Sequence, residues 1–167
     1  LGYTARAALE DPRVGSLTVV EALEDVIDWH RRGLLPEVAG LGDDERVQLR
    51  HADFFSLVRD GRGLGEPRAA VDVVLVDIDH SPRHLLDDAH ADLYTPEGLA
   101  SLGAQLRADG VFALWSDDPP DARFEHDLHR AFEQVDTHTV TFPNPYTGGE
   151  SANTVYVATS PAAGAAR

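Results

Sequence analysis

The clearest pattern in this chain is a run of apolar residues that ends abruptly in polar ones. Residues 71–76 read Val-Asp-Val-Val-Leu-Val, and Asp77, Asp79 and Pro82 follow shortly after. Apolar residues on both faces predict a strand buried on both sides, as in a parallel sheet covered by helices. Ligands of such sheets bind beyond the carboxyl ends of the strands. The pattern therefore predicts that Asp77 and Asp79 lie where ligand binding or chemistry takes place.

The rest of the chain alternates between helix-like and strand-like segments. No helix is predicted between the last two strands, so we expect them to pair antiparallel. The predicted fold class is α/β, with a mostly parallel sheet, helices on both faces and a C-terminal antiparallel hairpin. Helices are predicted over 4–9, 23–35, 95–107 and 124–132, further strands over 16–21, 47–49, 111–115, 138–142 and 154–158, and loops over 40–44, 60–67 and 143–153.

In the second predicted helix, the apolar face is expected to consist of Val26, Ile27, Trp29 and Leu34. The sequence contains no internal repeat. We expect one domain over residues 1–160, followed by a disordered Ala/Gly-rich tail over residues 161–167. The chain holds no Met and opens on Leu1, so we expect residues upstream of it in the natural protein.

The net charge of the chain limits which kinds of molecule it is expected to bind. The chain has 29 acidic residues against 14 basic ones, all of them Arg, and its formal net charge is -15. Such a field repels nucleic acid and anionic membranes and attracts cations, although the same charge also serves solubility. There is no cysteine, which excludes disulfides and thiolate metal sites and fits a cytoplasmic protein. No apolar run approaches the roughly 20 residues of a membrane span, and no signal peptide is recognised.

Acidic residues follow three successive predicted strands: Glu21, Asp53 and Asp77. After the second strand of a nucleotide-binding sheet, a carboxylate can accept both ribose hydroxyls, because it offers two acceptor oxygens. After the third strand, an acid can accept from an adenine amino group. An acid after the fourth strand would face the reacting end of the ligand.

This order of acids resembles that of the class I S-adenosylmethionine-dependent methyltransferases, which have a Rossmann-like sheet. More narrowly, nearly the whole chain is similar to the spermidine synthase (polyamine aminopropyltransferase) family. The segments that carry the resemblance are Leu-Thr-Val-Val-Glu at 17–21, His-Ala-Asp-Phe-Phe at 51–55, residues 71–82, Leu-Tyr-Thr-Pro-Glu-Gly-Leu at 93–99, Gly-Val-Phe-Ala-Leu-Trp-Ser at 110–116 and Asn-Thr-Val-Tyr at 153–156.

The resemblance implies a nucleoside site. It assigns ribose binding to Glu21 and adenine binding to Asp53, and it places Gly2, Phe54 and Asp77 at further cofactor-binding positions. The co-substrate would be decarboxylated S-adenosylmethionine or S-adenosylmethionine itself, with no metal.

The resemblance also implies the reaction. Asp77 would be the catalytic acid that helps to deprotonate an attacking amine, with Asp79 beside it. The enzyme would transfer an aminopropyl group to a small cationic amine such as putrescine, and it would be a homodimer. Secondary candidates near the same strand ends are His80 as a base, Asp117 and Asp118 in an amine pocket, and Asn144, Tyr146 and Asn153 in a closing loop.

Two other functions stay open at this stage. The runner-up to aminopropyl transfer is a small-molecule methyltransferase that uses intact S-adenosylmethionine; the observation in its favour is Leu1, which stands where the family has an acid for the aminopropyl ammonium. The other is a non-catalytic nucleoside-binding module. A dinucleotide-dependent oxidoreductase is disfavoured, since the sequence has no G-x-G-x-x-G. His126 and His129 have helical metal-ligand spacing, but no acid is placed with them.

Overall fold

The computed structural model describes residues 2–65, 70–146 and 148–162. The described chain forms two compact units, Leu1–Leu57 and Val58–Arg167. Short 3-10 helices lie at Pro36–Val38, Leu41–Asp43 and Asp88–Tyr94. The helices are α1 Tyr3–Leu9, α2 Glu24–Arg31, α3 Phe54–Arg59, α4 Pro96–Gly103 and α5 Ala122–Ala131, and the strands are β1 Leu17–Glu21, β2 Val47–His51, β3 Val71–Val76, β4 Leu106–Ser116, β5 Phe132–Asn144 and β6 Gly149–Pro161.

The first unit contains a parallel pair of strands. β1 pairs with β2 in a register that runs from Leu17 opposite Val47 to Glu21 opposite His51. Between these strands, α2 ends where Gly33 takes a left-handed conformation, with φ 64°. The N–H of Gly33 donates to His30 O and that of Leu34 to Trp29 O, which is the Schellman pattern of helix termination.

The second unit contains a four-stranded sheet in the order β3-β4-β6-β5. β3 and β4 are parallel, with Val76 opposite Leu114, whereas β6 runs antiparallel to both of its neighbours. Tyr156 lies opposite Leu114 and is fully buried. Its ring meets that of Phe124 on α5 edge-on, with 5.0 Å between the centroids, and Phe124 in turn contacts the ring of Tyr94 at 6.0 Å. The helical layer therefore packs on the sheet face that carries Leu114 and Tyr156.

Parallel pairing of β1 with β2 and of β3 with β4, together with the C-terminal hairpin, confirms the predicted α/β fold class. The bounds of β3 are as predicted, but its burial on both faces is not. Val74 and Val76 are buried, whereas Val73 is 50% and Leu75 is 46% exposed. Successive side chains of a strand point to opposite faces, so Val73 and Leu75 point away from the face that carries Leu114 and Tyr156.

Several predicted boundaries are wrong. The helix expected over 23–35 ends at Arg31 because Gly33 terminates it, and Trp29 (40% exposed) and Leu34 (50% exposed) do not belong to its buried face. The helix expected over 95–107 ends at Gly103, and Leu106 already belongs to β4. The sequence pattern does not predict helix α3, since its first residues, Phe54 and Phe55, fit only the motif that follows β2.

The hairpin is longer than its sequence pattern indicated. β5 extends to Asn144 and β6 begins at Gly149, so most of the loop expected over 143–153 is strand. Pro161, the first residue of the predicted tail, belongs to β6, and the N–H of Ala162 donates to Ala131 O at 2.9 Å. Residues 66 and 67 of the predicted flexible loop, and 163–167 of the predicted tail, lie outside the described residues.

Within the described ranges, no helix has the length and apolar character that crossing a membrane requires.

Candidate active site

In the first unit, two acids leave the sheet at the same edge. Glu21 is the last residue of β1 and lies opposite His51, the last residue of β2, and Asp53 follows two residues later. The N–H of Ala52 donates to Glu21 O at 3.0 Å, which continues the pairing beyond the strands. The carboxyl ends of parallel strands meet at one edge, which is where ligands of such sheets bind.

Local backbone contacts orient both carboxylates. Glu21 Oε1 accepts from the N–H of Leu23 at 2.8 Å. Asp53 Oδ1 accepts from the N–H of Phe55 at 3.0 Å, and its Oδ2 accepts from the Ser56 hydroxyl at 2.5 Å. These contacts fix each side chain locally, and a carboxylate, with about four lone-pair sites, can accept several hydrogen bonds at once. Such a pair suits a ligand that presents hydroxyl or amino groups.

Two of the three further cofactor-binding candidates, Gly2 and Phe54, also belong to the first unit and differ in their packing. Gly2 has φ 99°, and a Cβ at this position would lie 2.8 Å from Leu41 Cδ2 and 2.9 Å from His30 Cε1. The left-handed φ favours glycine here, whereas the two close atoms are the ends of side chains that can shift. Phe54 is buried, and its ring meets that of Phe55 edge-on at 5.8 Å. Leu1, which bears on the choice of co-substrate, lies outside the described residues.

In the second unit, Asp77 and Asp79 follow β3 but differ sharply in environment. Asp77 comes directly after Val76 and is exposed. Asp79 is only 3% exposed. Because β3 and β4 are parallel, the segment after Val76 and the segment after Ser116 leave the sheet at the same edge.

Asp79 is the centre of a buried polar network. Its Oδ1 accepts from the N–H of Leu86 at 2.7 Å and lies 2.8 Å from Nδ1 of His90, and its Oδ2 accepts from the Tyr94 hydroxyl at 2.8 Å. A carboxylate oxygen accepts, so this geometry places a proton on Nδ1 of His90. Burial raises the pKa of Tyr94 well above its usual range, and the hydrogen bond to Asp79 raises it further. The phenol therefore remains a donor.

A second network joins the same segment to the end of β4. His84 Nδ1 lies 2.9 Å from Asp118 Oδ2, and Arg83 forms ion pairs with Asp118 at 3.4 Å and with Asp121 at 3.2 Å. The pKa of Asp118 is lowered, first by a hydrogen bond from Ser81 and then by His84 and Arg83.

Backbone contacts complete this connection. The N–H of Asp117 donates to His80 O at 2.7 Å, and the Asn153 amide donates to Asp117 Oδ1 at 2.9 Å. These contacts give His80, Asp117, Asp118 and Asn153 roles in holding the strand ends together. Asn144 donates to Ser151 within the hairpin instead, and Tyr146 is 97% exposed at its turn.

The sequence pattern did not single out the residues that surround Asp79. Leu86 contributes only its backbone N–H and precedes the 3-10 helix Asp88–Tyr94, which contains His90 and Tyr94. Residues three apart share a face of a 3-10 helix, so the four-residue spacing of these groups is not a local signal that could have indicated them. Among the described residues, no group of three or more His, Cys, Asp or Glu side chains is placed to hold a metal ion.

Comparison with known proteins identifies the relatives of this chain. The family model described as "Spermine/spermidine synthase domain" matches residues 2–151. The polyamine aminopropyltransferase of Bacillus mycoides (strain KBAB4) is 30% identical over 118 residues, which are 71% of this chain. The aligned region is 38% of the relative, so the chain spans well under half of its length.

Two solved structures share the fold. A spermidine synthase in complex with the transition-state analogue AdoDATO has a TM-score of 0.65 at 21% identity, covering 95% of this chain and 49% of that one. Human methyltransferase-like protein 13 in complex with SAH has a TM-score of 0.62 at 18% identity, covering 86% of this chain and 60% of that one. At these identities the similarity shows the fold alone.

Proposed function

Since this chain belongs to the spermine/spermidine synthase domain family, we propose that it moves an aminopropyl group from decarboxylated S-adenosylmethionine to a small cationic amine such as putrescine. The observation that carries the proposal is the family match over residues 2–151. The relative from Bacillus mycoides is named a polyamine aminopropyltransferase, which supports the same class of transfer.

The nucleoside part of the co-substrate is assigned to the first unit. Glu21 accepts from the ribose hydroxyls and Asp53 accepts from the adenine amino group. Support comes from the backbone hydrogen bonds at 2.8 and 3.0 Å that fix the two carboxylates at the ends of parallel strands. Gly2 and Phe54 shape this site, Gly2 through its left-handed backbone and Phe54 through its buried ring.

The chemical step is a displacement at the carbon next to the sulfonium. The amine nitrogen forms a bond to that carbon, the carbon–sulfur bond breaks, and its electron pair leaves with sulfur as a neutral thioether. The ammonium form of the amine cannot attack, so one of its protons passes to a carboxylate. We assign this role to Asp77, whose exposed side chain directly follows β3. Alignment of the reactants supplies most of the remaining acceleration.

The setting of the enzyme is also part of the proposal. No metal takes part, because the sulfonium is already a good leaving group. The absence of cysteine supports a cytoplasmic location. The functional form is a homodimer, as expected from the family resemblance, and light scattering of the purified full-length protein measures its mass directly.

The Asp77→Asn substitution tests the catalytic assignment. Loss of a positioned base costs roughly 10² to 10⁴-fold, so turnover should fall by that amount while binding of decarboxylated S-adenosylmethionine stays within a few-fold. Asp72→Asn is the matched control, because Asp72 lies on the same strand and its side chain is 76% exposed. Equal loss of binding and turnover would make Asp77 a co-substrate ligand instead.

Calorimetric titration with decarboxylated S-adenosylmethionine, intact S-adenosylmethionine and methylthioadenosine tests the reaction class. Preference for the decarboxylated form is the expected result. Preference for the intact form would move the function to methyl transfer. If none of the three ligands binds, the chain has the fold of the family but does not bind its co-substrate, and the proposed function is wrong.

A further inference from the structure

Asp77 and Asp79 are two residues apart, and the structure separates their roles. Asp77 is exposed and is the proposed catalytic acid. The side chain of Asp79 is 1% exposed, and its oxygens accept from three groups within 2.8 Å. A carboxylate that is buried and engaged in this way does not meet an amine from solvent without giving up those bonds. Its function must therefore act through the groups that it holds.

Those groups all belong to the segment between β3 and α4. They lie seven, eleven and fifteen residues after Asp79, at Leu86 N, His90 Nδ1 and Tyr94 Oη. The last of them, Tyr94, immediately precedes the N-cap residue of α4. One carboxylate thus closes the whole segment 79–94 into a loop with fixed ends. Fixing a chain of this length costs conformational entropy, which these buried hydrogen bonds offset in part.

The start of the segment is held independently. The Ser81 hydroxyl accepts from the N–H of His84 at 3.0 Å, and His84 and Arg83 reach Asp118 at the end of β4. Asp79 lies between this attachment and β3, so its hydrogen bonds and those of Ser81 act on the same short stretch. The two attachments leave little freedom for the backbone that carries Asp77.

We propose that Asp79 is a positioning residue, which holds segment 79–94 through Leu86, His90 and Tyr94 so that Asp77 is presented in a fixed orientation to the acceptor amine. The inference rests on the proposed function for its chemistry. Its structural half, the fixing of the segment by Asp79, is independent of any activity.

Hydrogen–deuterium exchange of the full-length protein tests the structural half. Asp79→Asn removes the charge that strengthens all three hydrogen bonds and puts an NH2 group in place of one acceptor oxygen, so the Leu86 amide should exchange roughly tenfold faster. Asp88→Asn is the matched control, because Asp88 is an exposed acid on the same segment. Unchanged exchange at residues 80–94 in Asp79→Asn would overturn the proposal, whether or not the protein transfers aminopropyl groups.

Steady-state kinetics tests the link to the reaction. Misplacement of a catalytic group by about 1 Å costs on the order of 10²-fold, so kcat of Asp79→Asn should fall by up to that amount. The affinity for decarboxylated S-adenosylmethionine should stay within about threefold, and Asp88→Asn should match wild type. A wild-type kcat in the folded Asp79→Asn variant would overturn the positioning role. An equal loss of kcat and of co-substrate affinity would instead make Asp79 a ligand of the co-substrate.

Tyr94→Phe provides a milder second variant, and it decides the matter if Asp79→Asn does not fold. It removes one hydrogen bond to Asp79 and keeps the ring. It should lower kcat by roughly three- to tenfold, and combined with Asp79→Asn it should add little. Full additivity of the two losses, or a wild-type kcat in Tyr94→Phe, would contradict action through this contact. Inactive wild-type protein would count against the proposed function alone, and the exchange result would still decide the positioning of the segment.

Discussion

Asp118, two residues after the end of β4, joins that strand end to residues 81–84 through one carboxylate. It accepts from Ser81 and pairs with His84 and Arg83, and these contacts hold its pKa below the ordinary value of 3.8. The native state therefore binds fewer protons here than the unfolded state does. The stability gained from Asp118 is present above the unfolded pKa and is lost as pH falls through the lower, folded pKa.

The Asp118→Asn variant tests this pH dependence of stability. It should be less stable than wild type at about pH 6, and the difference should shrink as pH falls from about 4 toward 2. Urea unfolding across that range measures the difference in free energy of unfolding. A difference that stays constant or grows on acidification would show that the carboxylate charge does not stabilise the native network.

The sequence could place the candidate acids but not their environments. The ends of apolar runs predict Glu21, Asp53 and Asp77; Glu21 is the last residue of β1, and Asp53 and Asp77 follow β2 and β3. The burial of Asp79 was not predictable, because two of its partners, His90 and Tyr94, lie eleven and fifteen residues along the chain. Strand periodicity gives no information beyond Val76, where the strand ends.

At the scale of elements, Tyr156 joins β6 to the start of α5. Its ring is fully buried against Phe124, and its hydroxyl accepts from the N–H of Asp121 at 2.8 Å. Asp121 is the N-cap residue of α5, and its own side chain accepts from the N–H of Arg123. The contact therefore supports the helix end that also carries an ion-pair partner of Arg83.

The Tyr156→Phe substitution should destabilise the protein by about 1–2 kcal/mol, because it leaves the Asp121 N–H without its acceptor while the ring packing is kept. Tyr146→Phe is the matched control, since Tyr146 is 97% exposed at the hairpin turn. Chemical denaturation measures both variants. Equal stability of Tyr156→Phe and wild type would mean that water replaces the hydroxyl without cost.

A helix or strand was predictable where the sequence of that segment alone shows the apolar pattern of the element. The β-branched run of β3 fixed both of its ends correctly. The hairpin strands were predicted too short. Most of β5 is exposed and polar, so it has few of the apolar residues that mark a strand in the sequence. Their length depends on pairing between distant residues, such as Phe142 opposite Ser151, which no local pattern contains.

For the whole molecule, the net charge of -15 acts on any cationic substrate before it reaches a site. Charges on a surface are screened over about 10 Å at 0.1 M salt, and a cleft of one sign raises the local concentration of the opposite ion. A diamine carries two positive charges at neutral pH, whereas methylthioadenosine carries none. The field should therefore act on the acceptor and not on the nucleoside.

Varying the ionic strength separates electrostatic attraction of the acceptor amine from binding of the nucleoside. Raising NaCl from about 20 to 300 mM should raise the KM for putrescine several-fold with little change in kcat, because screening weakens attraction of the dication. The Kd of methylthioadenosine, measured by calorimetry at the same salt concentrations, is the internal control and should remain within about twofold. A KM that is independent of salt would assign the acidic surface to solubility alone. A KM and a Kd that rise together would point to a change in the protein itself rather than to attraction of the amine.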